Sequence, residues 1–302
     1  MIATVTLNAS IDKLYVVDKL DPGKVSRVRQ VEDGAGGKGL NVARVVGLLG
    51  ERAIATGLSG GHAGARFAEL AAAQGLNIDF VGCEGETRAC INVRDLETGR
   101  NTEFLEPGPT LGAYTLERFY RKFQKLMDGC EVVTISGSLP RGAPVDYYQR
   151  LIYLAKSLSK TVILDSSGEA LFEGIRARPT LIKPNLEELS WLTGTEIRDL
   201  DQALGPAGKL REQGVGMVAV SLGAKGVLVV TADGAYEGIP PTIEVVNTVG
   251  CGDSMVAGFA VGLKRGLDIM ETIRLAVAAS SANAMSLETG HFEESDYNEL
   301  IP

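Results

Sequence analysis

The sequence contains little cysteine and histidine. Four cysteines occur in 302 residues, and none of them forms a C-x-x-C pair. This usage favours a reducing compartment, and we expect the cytoplasm. The two histidines, His62 and His291, leave little material for a histidine-rich metal site or a Ser-His-Asp triad, so we expect both at the surface.

Long hydrophobic runs and blocks of like charge are also missing. The longest apolar window, MVAGFAVGL at 255–263, is far shorter than the roughly 20 residues of a membrane-spanning helix. The first residues lack the basic and apolar regions of a secretory signal. Because the net charge is −8, we expect no binding to nucleic acid or to an anionic membrane. An anionic ligand must therefore meet a local basic cluster.

The composition and the hydrophobic pattern predict a globular α/β protein. Hydrophobic residues make up 45% of the chain and charged residues 23%. Short apolar runs typical of buried parallel strands occur at 4–7, 53–58, 131–136, 161–165, 180–183 and 218–222. Helical patterns lie between them, at 40–50, 65–75, 116–127, 145–159 and 186–194. The alternation predicts a mostly parallel sheet flanked by helices.

Two segments depart from this alternation and predict a small second sheet. Residues 13–33 and 87–107 mix polar and apolar residues over strand lengths, and the second folds back as a hairpin around ETGRN. We expect them to form a β lid that is wet on one face. The core would then comprise the remaining residues, 1–12, 34–86 and 108–302. No linker or internal repeat divides the chain.

The stretch NTVGCGDS, at 247–254, is the first candidate for chemistry. Gly250 and Gly252 would let the backbone approach a phosphate at the start of a helix, where free N–H groups and the helix dipole favour an anion. A carboxylate at Asp253 would repel that anion, but it could accept a proton from an attacking hydroxyl. The structural alternative is an aspartate that caps the helix after a glycine turn.

A second glycine-rich turn, DGAGGKGLNVAR, has two interpretations. It contains a formal G-x-G-x-x-G, at Gly34, Gly36 and Gly39, with Glu51 as a possible ribose partner, which would indicate an NAD-dependent oxidoreductase. The polar stretch before it is unlike the buried strand that this fingerprint follows. It is not a Walker loop, because glycine follows Lys38. The turn could instead close around a sugar and its phosphate, with Lys38 and Asn41 projecting into the site.

Two further turns follow predicted strands. Asn185 and Glu188 could form a capping box, and such a carboxylate can also orient water bound to a metal. The turn SLGAKG at 221–226 suits the edge of a nucleotide, but it is equally well explained as a hairpin.

With these pieces in order, the sequence resembles the ribokinase-like carbohydrate kinases of the pfkB family along essentially its whole length. The resemblance is strongest to the phosphohexokinase branch. It rests on seven ordered stretches: TLNASID, GGKGLNVAR, ETR, ISGSLPRGAPVDYY, IKPNLEEL, VSLGAKG and NTVGCGDS. The resemblance implies ATP- and magnesium-dependent phosphorylation of a ketohexose monophosphate to a bisphosphate. The stretches GETRACI and TEFLEPGP imply tagatose 6-phosphate first, with fructose 1-phosphate as the alternative.

The resemblance also implies roles for individual residues. Asp253 would be the catalytic base, beside an anion hole formed by the backbone of Gly250, Cys251 and Gly252. The sugar and its phosphate would contact Asp12, Arg27, Gly37, Lys38, Asn41, Arg88 and Ser138. The nucleotide would contact Lys183, Asn185, Ser221, Gly223, Gly226 and Asn283. Glu188 would hold magnesium through water.

Three residues depart from the family pattern. Ala9 stands where the branch usually has proline, and Cys251 replaces alanine or serine without removing backbone donors. Glu103 stands where 6-phosphofructokinase relatives have a phosphate-binding arginine, which argues against fructose 6-phosphate. We also expect a homodimer through paired lids. The alternatives of other classes are the NAD-dependent oxidoreductase and a non-catalytic sugar-phosphate sensor, which would not need Asp253.

Overall fold

A computed structural model describes residues 1–301, and its largest element is a nine-stranded sheet. The strand order is β13-β12-β11-β10-β9-β8-β1-β4-β5. The strands are β1 (Ile2–Thr6), β4 (Ala53–Gly60), β5 (Val81–Cys83), β8 (Val132–Ser136), β9 (Thr161–Asp165), β10 (Leu181–Ile182), β11 (Met217–Ser221), β12 (Val227–Val230) and β13 (Ala235–Gly238). All pairs are parallel except β11 with β12 and β12 with β13.

The central strands are buried on both faces, as their apolar runs predict. Every residue of β1 and of β8 is buried, and β1 pairs with β8 on one side and with β4 on the other. Because parallel neighbours all end at the same edge, the carboxyl ends of these strands lie together. The predicted mostly parallel α/β sheet is confirmed.

Helices cover both faces of this sheet. They are α1 (Lys38–Leu48), α2 (Gly61–Ala73), α3 (Ala113–Leu126), α4 (Tyr147–Ser157), α5 (Gly168–Ile175), α6 (Leu186–Thr193), α7 (Leu200–Glu212), α8 (Cys251–Arg265), α9 (Ile269–Met285) and α10 (Glu294–Leu300). One hydrophobic cluster packs α3 to α7 on one face, around Phe119 and Tyr148. Another packs α1, α8 and α9 on the opposite face, around Phe259. Within residues 1–301, no helix combines the length and the apolarity that crossing a membrane requires.

A separate four-stranded sheet lies beyond the main one. It has the order β3-β2-β6-β7 and consists of β2 (Ser10–Val17), β3 (Val28–Gly36), β6 (Arg88–Asp95) and β7 (Asn101–Leu105). The hairpin expected around ETGRN is the antiparallel pair of β6 and β7. The small second sheet is therefore confirmed. Its strands β2 and β3 extend beyond 13–33, to Ser10 and Gly36, and the domain boundaries stay a prediction.

Candidate active site

A cavity of about 870 Å³ lies between the two sheets. Its walls come from the second sheet, from the start of α1 and from the turn that opens α8. Nine of the predicted site residues line it: Asp12, Gly37, Lys38, Asn41, Arg88, Ser138, Gly250, Gly252 and Asp253. The fold thus brings together residues from five separate stretches of the chain.

The glycine turn at one end of this cavity has the geometry of an anion site. Gly250 precedes helix α8 in the left-handed conformation, with φ of 83°, and a Cβ there would lie 2.7 Å from Thr289 Cγ2. The first N–H groups of a helix have no intrahelical acceptors. At the start of α8 the Cys251 N–H donates a long bond of 3.4 Å to the Thr248 carbonyl oxygen, and the N–H groups of Gly250 and Gly252 are available to an anion. A Cβ at position 252 would lie 3.3 Å from Lys183 Nζ, so this ammonium group stands directly over the turn.

Asp253 occupies the first turn of α8 with its side chain buried. Asn41 Nδ2 donates a hydrogen bond of 2.8 Å to Asp253 Oδ2. Burial raises the pKa of Asp253 to about 6, although the positive charge of Lys38 opposes the rise. A carboxyl group whose pKa lies just below neutrality is charged at pH 7 and can accept a proton efficiently.

Asp165, which the sequence reasoning missed, holds two lysines beside Asp253. Its carboxylate lies at the end of β9, with Oδ2 3.1 Å from Lys38 Nζ and Oδ1 3.3 Å from Lys183 Nζ. Burial alone would raise the pKa of Asp165, but the two ammonium groups outweigh it and hold the pKa below its ordinary value. The signal was available, because TVILD places an acidic residue at the carboxyl end of an apolar strand.

Asp12 lies on β2 with its carboxylate turned into the cavity. Ser10 Oγ donates to Asp12 Oδ1 over 2.6 Å. Burial raises the pKa of Asp12, while the Ser10 hydrogen bond and the charge of Arg88 oppose the rise. A Cβ at Gly36 would collide with this carboxyl group, so the glycine makes room for it.

The glycines of the second turn also allow α1 to approach the main sheet. Gly37 has φ of 106°, and a Cβ there would lie 2.7 Å from Thr6 Cγ2. A Cβ at Gly39 would collide with Thr6 Oγ1 and lie 2.9 Å from the Val5 carbonyl oxygen. This contact fixes the start of α1, and with it Lys38 and Asn41, above the end of β1.

The remaining sugar-side residues are placed differently. Arg88 lines the cavity, and its guanidinium donates to the Asn8 and Glu106 carbonyl oxygens, at 3.2 and 2.9 Å. Ser138 Oγ accepts from Asn8 Nδ2 at 3.3 Å. Arg27 lies in the exposed loop before β3, outside the set of residues that line the cavity.

All six predicted nucleotide residues lie outside the set of residues that line the cavity. Asn185 and Glu188 form a complete capping box at the start of α6, as the structural alternative expected. Ser221 ends β11 and pairs with Asn185 in an isolated bridge. Gly223 and Gly226 belong to the hairpin turn between β11 and β12.

Asn283, on α9, lies behind the glycine turn, and Cys251 lies within it. Asn283 is completely buried and its amide donates to the Val249 carbonyl oxygen at 2.9 Å. Its Oδ1 accepts from Ser254 Oγ and Gly290 N. Asn283 therefore braces the turn from inside the protein. Cys251 is half-buried, and burial raises the pKa of its thiol.

The residues near the turn suit magnesium carried by phosphates better than a metal site made of protein alone. Within residues 1–301 no three acidic, histidine or cysteine side chains are grouped as a metal site. Mg²⁺ commonly keeps several waters and binds one or two carboxylates together with substrate phosphates. Glu188 is half-buried and its negative charge acts on Lys38 inside the site, so it fits that mode of binding.

The dinucleotide interpretation of the G-x-G-x-x-G stretch is wrong. Five residues of β3, Val28 to Glu32, are exposed, so this strand is not the buried strand of a nucleotide-binding βαβ unit. The carboxylate of Glu51 forms ion pairs with Lys264 and Arg265 on α8, and Glu51 is not among the residues that line the cavity.

Comparison with known proteins agrees with the geometry. Residues 5–295 match the pfkB family of carbohydrate kinases. Phosphofructokinase-2 from Escherichia coli, solved in complex with potassium, is 30% identical and superposes with a TM-score of 0.94 over 99% of this chain and 97% of that one. A possible 1-phosphofructokinase from Thermotoga maritima is 25% identical, with a TM-score of 0.90 over 100% of this chain and 97% of that one.

A more distant structure shares the fold alone. Ribokinase from Arabidopsis thaliana, complexed with ribose and ATP, is 23% identical, with a TM-score of 0.79 over 99% of this chain and 98% of that one. The fold is therefore ribokinase-like.

The family match covers nearly the whole chain, so the chain belongs to the pfkB family of carbohydrate kinases. It is a sugar-phosphate kinase, that is, a phosphotransferase with an alcohol group as acceptor.

Proposed function

We propose that this protein transfers the γ-phosphoryl group of ATP to tagatose 6-phosphate and forms tagatose 1,6-bisphosphate. The observation that carries the proposal is Asp253: a buried carboxylate with a raised pKa stands at the N-terminus of α8 and faces the cavity between the sheets. The neighbouring backbone amides can hold the transferring group.

In this mechanism the protein acts by positioning and by charge. Asp12 and Asn41 would bind sugar hydroxyls, and Lys38 and Arg88 would bind the substrate's phosphate. Asp253 accepts the proton of the attacking hydroxyl, while the amides of Gly250, Cys251 and Gly252 stabilise the phosphoryl group in transit. Arg27 would reach this site only if its exposed loop moved inward.

The nucleotide would lie beyond the glycine turn. Lys183 stands over Gly252, where its ammonium group is suited to neutralise the phosphates of the nucleotide. Asn185, Ser221, Gly223 and Gly226 would contact the rest of the nucleotide, while Asn283 would act from behind the turn. Bound magnesium, held by Glu188 through water, would neutralise phosphate charge.

The second candidate substrate is fructose 1-phosphate, and the position of Glu103 supports it. Glu103 is on β7, lines the cavity and brings negative charge to the wall that carries Arg88. Fructose 6-phosphate and tagatose 6-phosphate both carry the phosphate on C6, whereas fructose 1-phosphate carries it at the opposite end. The preference for tagatose 6-phosphate rests on the resemblance of residues 85–91 and 102–109.

The test is ADP release with a panel of tagatose 6-phosphate, fructose 1-phosphate, fructose 6-phosphate and the free sugars. We expect the highest kcat/KM with tagatose 6-phosphate and a loss of about 10²- to 10⁴-fold in Asp253→Asn. Equal rates in the variant would remove the proposed base. A preference for fructose 1-phosphate would select the second candidate.

We also propose a homodimer through the lid sheet, which is the four-stranded sheet of β2, β3, β6 and β7. The register places Val31 and Phe104 on one face of this sheet, on its two edge strands, and they are 57% and 55% exposed. Pairing two such sheets would cover both residues and protect the edges. Light scattering should report a dimer that Phe104→Asp dissociates, whereas Leu204→Asp on α7 should not. A monomeric wild type would contradict the proposal.

We propose that the protein resides in the cytoplasm, because its cysteines are free thiols. All four cysteines are unpaired with one another. A reducing compartment keeps such thiols from oxidation.

A further inference from the structure

Arg44 lines the same cavity but has no role in the proposed phosphoryl transfer. It lies on α1, three residues after Asn41, so that the two side chains share one face of the helix. Arg44 Nη1 donates to Asn41 Oδ1 and to the Thr289 carbonyl oxygen, each at 3.1 Å. Arg44 Nη2 donates to the Ala35 carbonyl oxygen and to Gln74 Oε1, also at 3.1 Å.

These bonds argue against a role for Arg44 in binding a phosphate. A guanidinium group has five N–H donors, and its two terminal nitrogens carry four of them. These two nitrogens already donate four hydrogen bonds to protein oxygens. A phosphate would have to displace those oxygens in order to bind. The acceptors belong to four segments: the end of β3, α1, the residue after α2, and the loop between α9 and α10.

The contact with Asn41 determines which way the Asn41 amide points. Arginine only donates hydrogen bonds, so the amide must turn its oxygen toward Arg44. Its NH₂ group then faces Asp253, where Nδ2 donates to Oδ2 at 2.8 Å. Gly290 packs closely against both side chains, since a Cβ there would lie 2.9 Å from Asn41 Cβ and 3.0 Å from Arg44 Nη1. The pair has little room to rearrange.

We infer that Arg44 is a positioning residue that holds the Asn41 amide with its NH₂ group toward Asp253. This inference rests on the proposed role of Asp253 as the base. A donor aimed at a carboxylate favours its charged form, whereas an amide oxygen aimed at it would disfavour that form. Arg44 therefore keeps Asp253 in the charged form that can accept a proton. One of the hydrogen bonds that hold Arg44 goes to the carbonyl oxygen of Ala35 in the lid sheet.

Other charges also act on Asp253 and stay in place when Arg44 is replaced. Lys38 on α1 and Lys183 after β10 favour its ionisation, and Asp165 at the end of β9 opposes it. The charge of Arg44 interacts with Asp253 as well, and with Asp12 and Glu288. Arg44→Lys keeps that charge but cannot make all four hydrogen bonds, so comparing it with Arg44→Met separates charge from positioning.

The experiment is a titration of the Asp253 carboxyl carbon by ¹³C NMR, in the full-length protein without substrate. The signal is assigned by its loss in Asp253→Asn. We expect the midpoint to rise by about one pH unit in Arg44→Met, because one hydrogen bond to the charged form is weakened. Arg44→Lys should give a large part of that rise. Arg66→Met, at an exposed arginine on α2, is the matched control and should leave the midpoint unchanged.

A double-mutant cycle tests the route through Asn41. Arg44→Lys should add little to the shift in an Asn41→Ala background, because the positive charge is kept and the amide that Arg44 orients is gone. An unchanged midpoint in Arg44→Met, or an equal shift by Arg44→Lys in both backgrounds, would overturn the inference.

Kinetics keep this inference separate from the proposed function. Arg44→Met should move the acid limb of kcat/KM upward with the NMR midpoint, and kcat should fall more than KM rises. A wild type without kinase activity on the panel would overturn the proposed function, while the NMR titration would still decide the role of Arg44. If Arg44→Met does not fold, the same titration with Arg44→Lys supplies the result.

Discussion

Lys183 and Asp165 form an ion pair in which both side chains are almost completely buried, with 7% and 1% of their surfaces exposed. Lys183 Nζ lies 3.3 Å from Asp165 Oδ1. Removing one partner of such a pair leaves the other charge buried without compensation, which commonly costs about 3–5 kcal/mol.

We therefore expect Asp165→Asn to lower the free energy of unfolding by about 3 kcal/mol or more at pH 7. Urea denaturation measures this change. Glu69→Gln, which removes one partner of the exposed Arg66–Glu69 pair, is the control and should cost less than about 1 kcal/mol. Similar losses in the two variants would mean that the buried pair contributes no more than a surface one.

Asp253→Asn should have the opposite effect on stability. Burial raises the pKa of Asp253 from 3.8 to about 6, so the folded protein binds this proton more tightly than the unfolded chain does. The contribution of this carboxyl to stability therefore falls as the pH rises between these values and stays low above them. Thermal unfolding at pH 7.5 should show the variant to be more stable, by on the order of 1–3 kcal/mol. Equal stability at pH 7.5 would contradict a raised pKa.

The same pKa predicts the pH dependence of the reaction. Protonated Asp253 cannot accept a proton from the attacking hydroxyl, so kcat/KM should fall by about tenfold per pH unit below pH 6. ADP release with the best sugar phosphate, measured from pH 5 to pH 8 at constant ionic strength, checks this. An acid limb centred near pH 4 would indicate an ordinary exposed carboxylate instead.

Gly250→Ala should lower activity as well as stability, whereas backbone strain by itself would lower only stability. The residue is left-handed, and a Cβ would lie 2.7 Å from Thr289 Cγ2 and 2.9 Å from Gly290 N. Gly266→Ala is the matched control, because Gly266 is also left-handed, with φ of 66°, but has no neighbouring atoms within 4 Å of a Cβ. Each variant should lose about 1–2 kcal/mol of stability from strain. Only Gly250→Ala should also lower kcat, by at least about tenfold.

Glu103→Arg should change the choice of substrate. The substitution replaces a negative charge on the cavity wall by a positive one, so kcat/KM for fructose 6-phosphate relative to fructose 1-phosphate should rise by on the order of tenfold. Glu212→Arg, at the end of α7 and outside the cavity lining, makes the same change of charge and is the control. An unchanged ratio in Glu103→Arg would mean that the sugar's phosphate binds away from β7.

Local patterns along the chain determined the fold class and the two glycine turns. The apolar runs of β1, β8 and β9 are buried on both faces, which requires helices above and below the sheet. The turn at Gly250 could be identified because glycine and a helix start are both local features. The capping box of Asn185 and Glu188 is local for the same reason.

The contacts that tune the site are not local, and only the tertiary structure decided them. Asp165 meets Lys38 across 127 positions of the chain, and Asn41 meets Asp253 across 212. Neither a side chain's burial nor the charge opposite it can be read from its own neighbours in sequence. Parallel strands bring such residues to one edge of the sheet, and the desolvation there raises the pKa of Asp253. The sequence thus supplied the groups that chemistry requires, and the fold set their ionisation and their orientation.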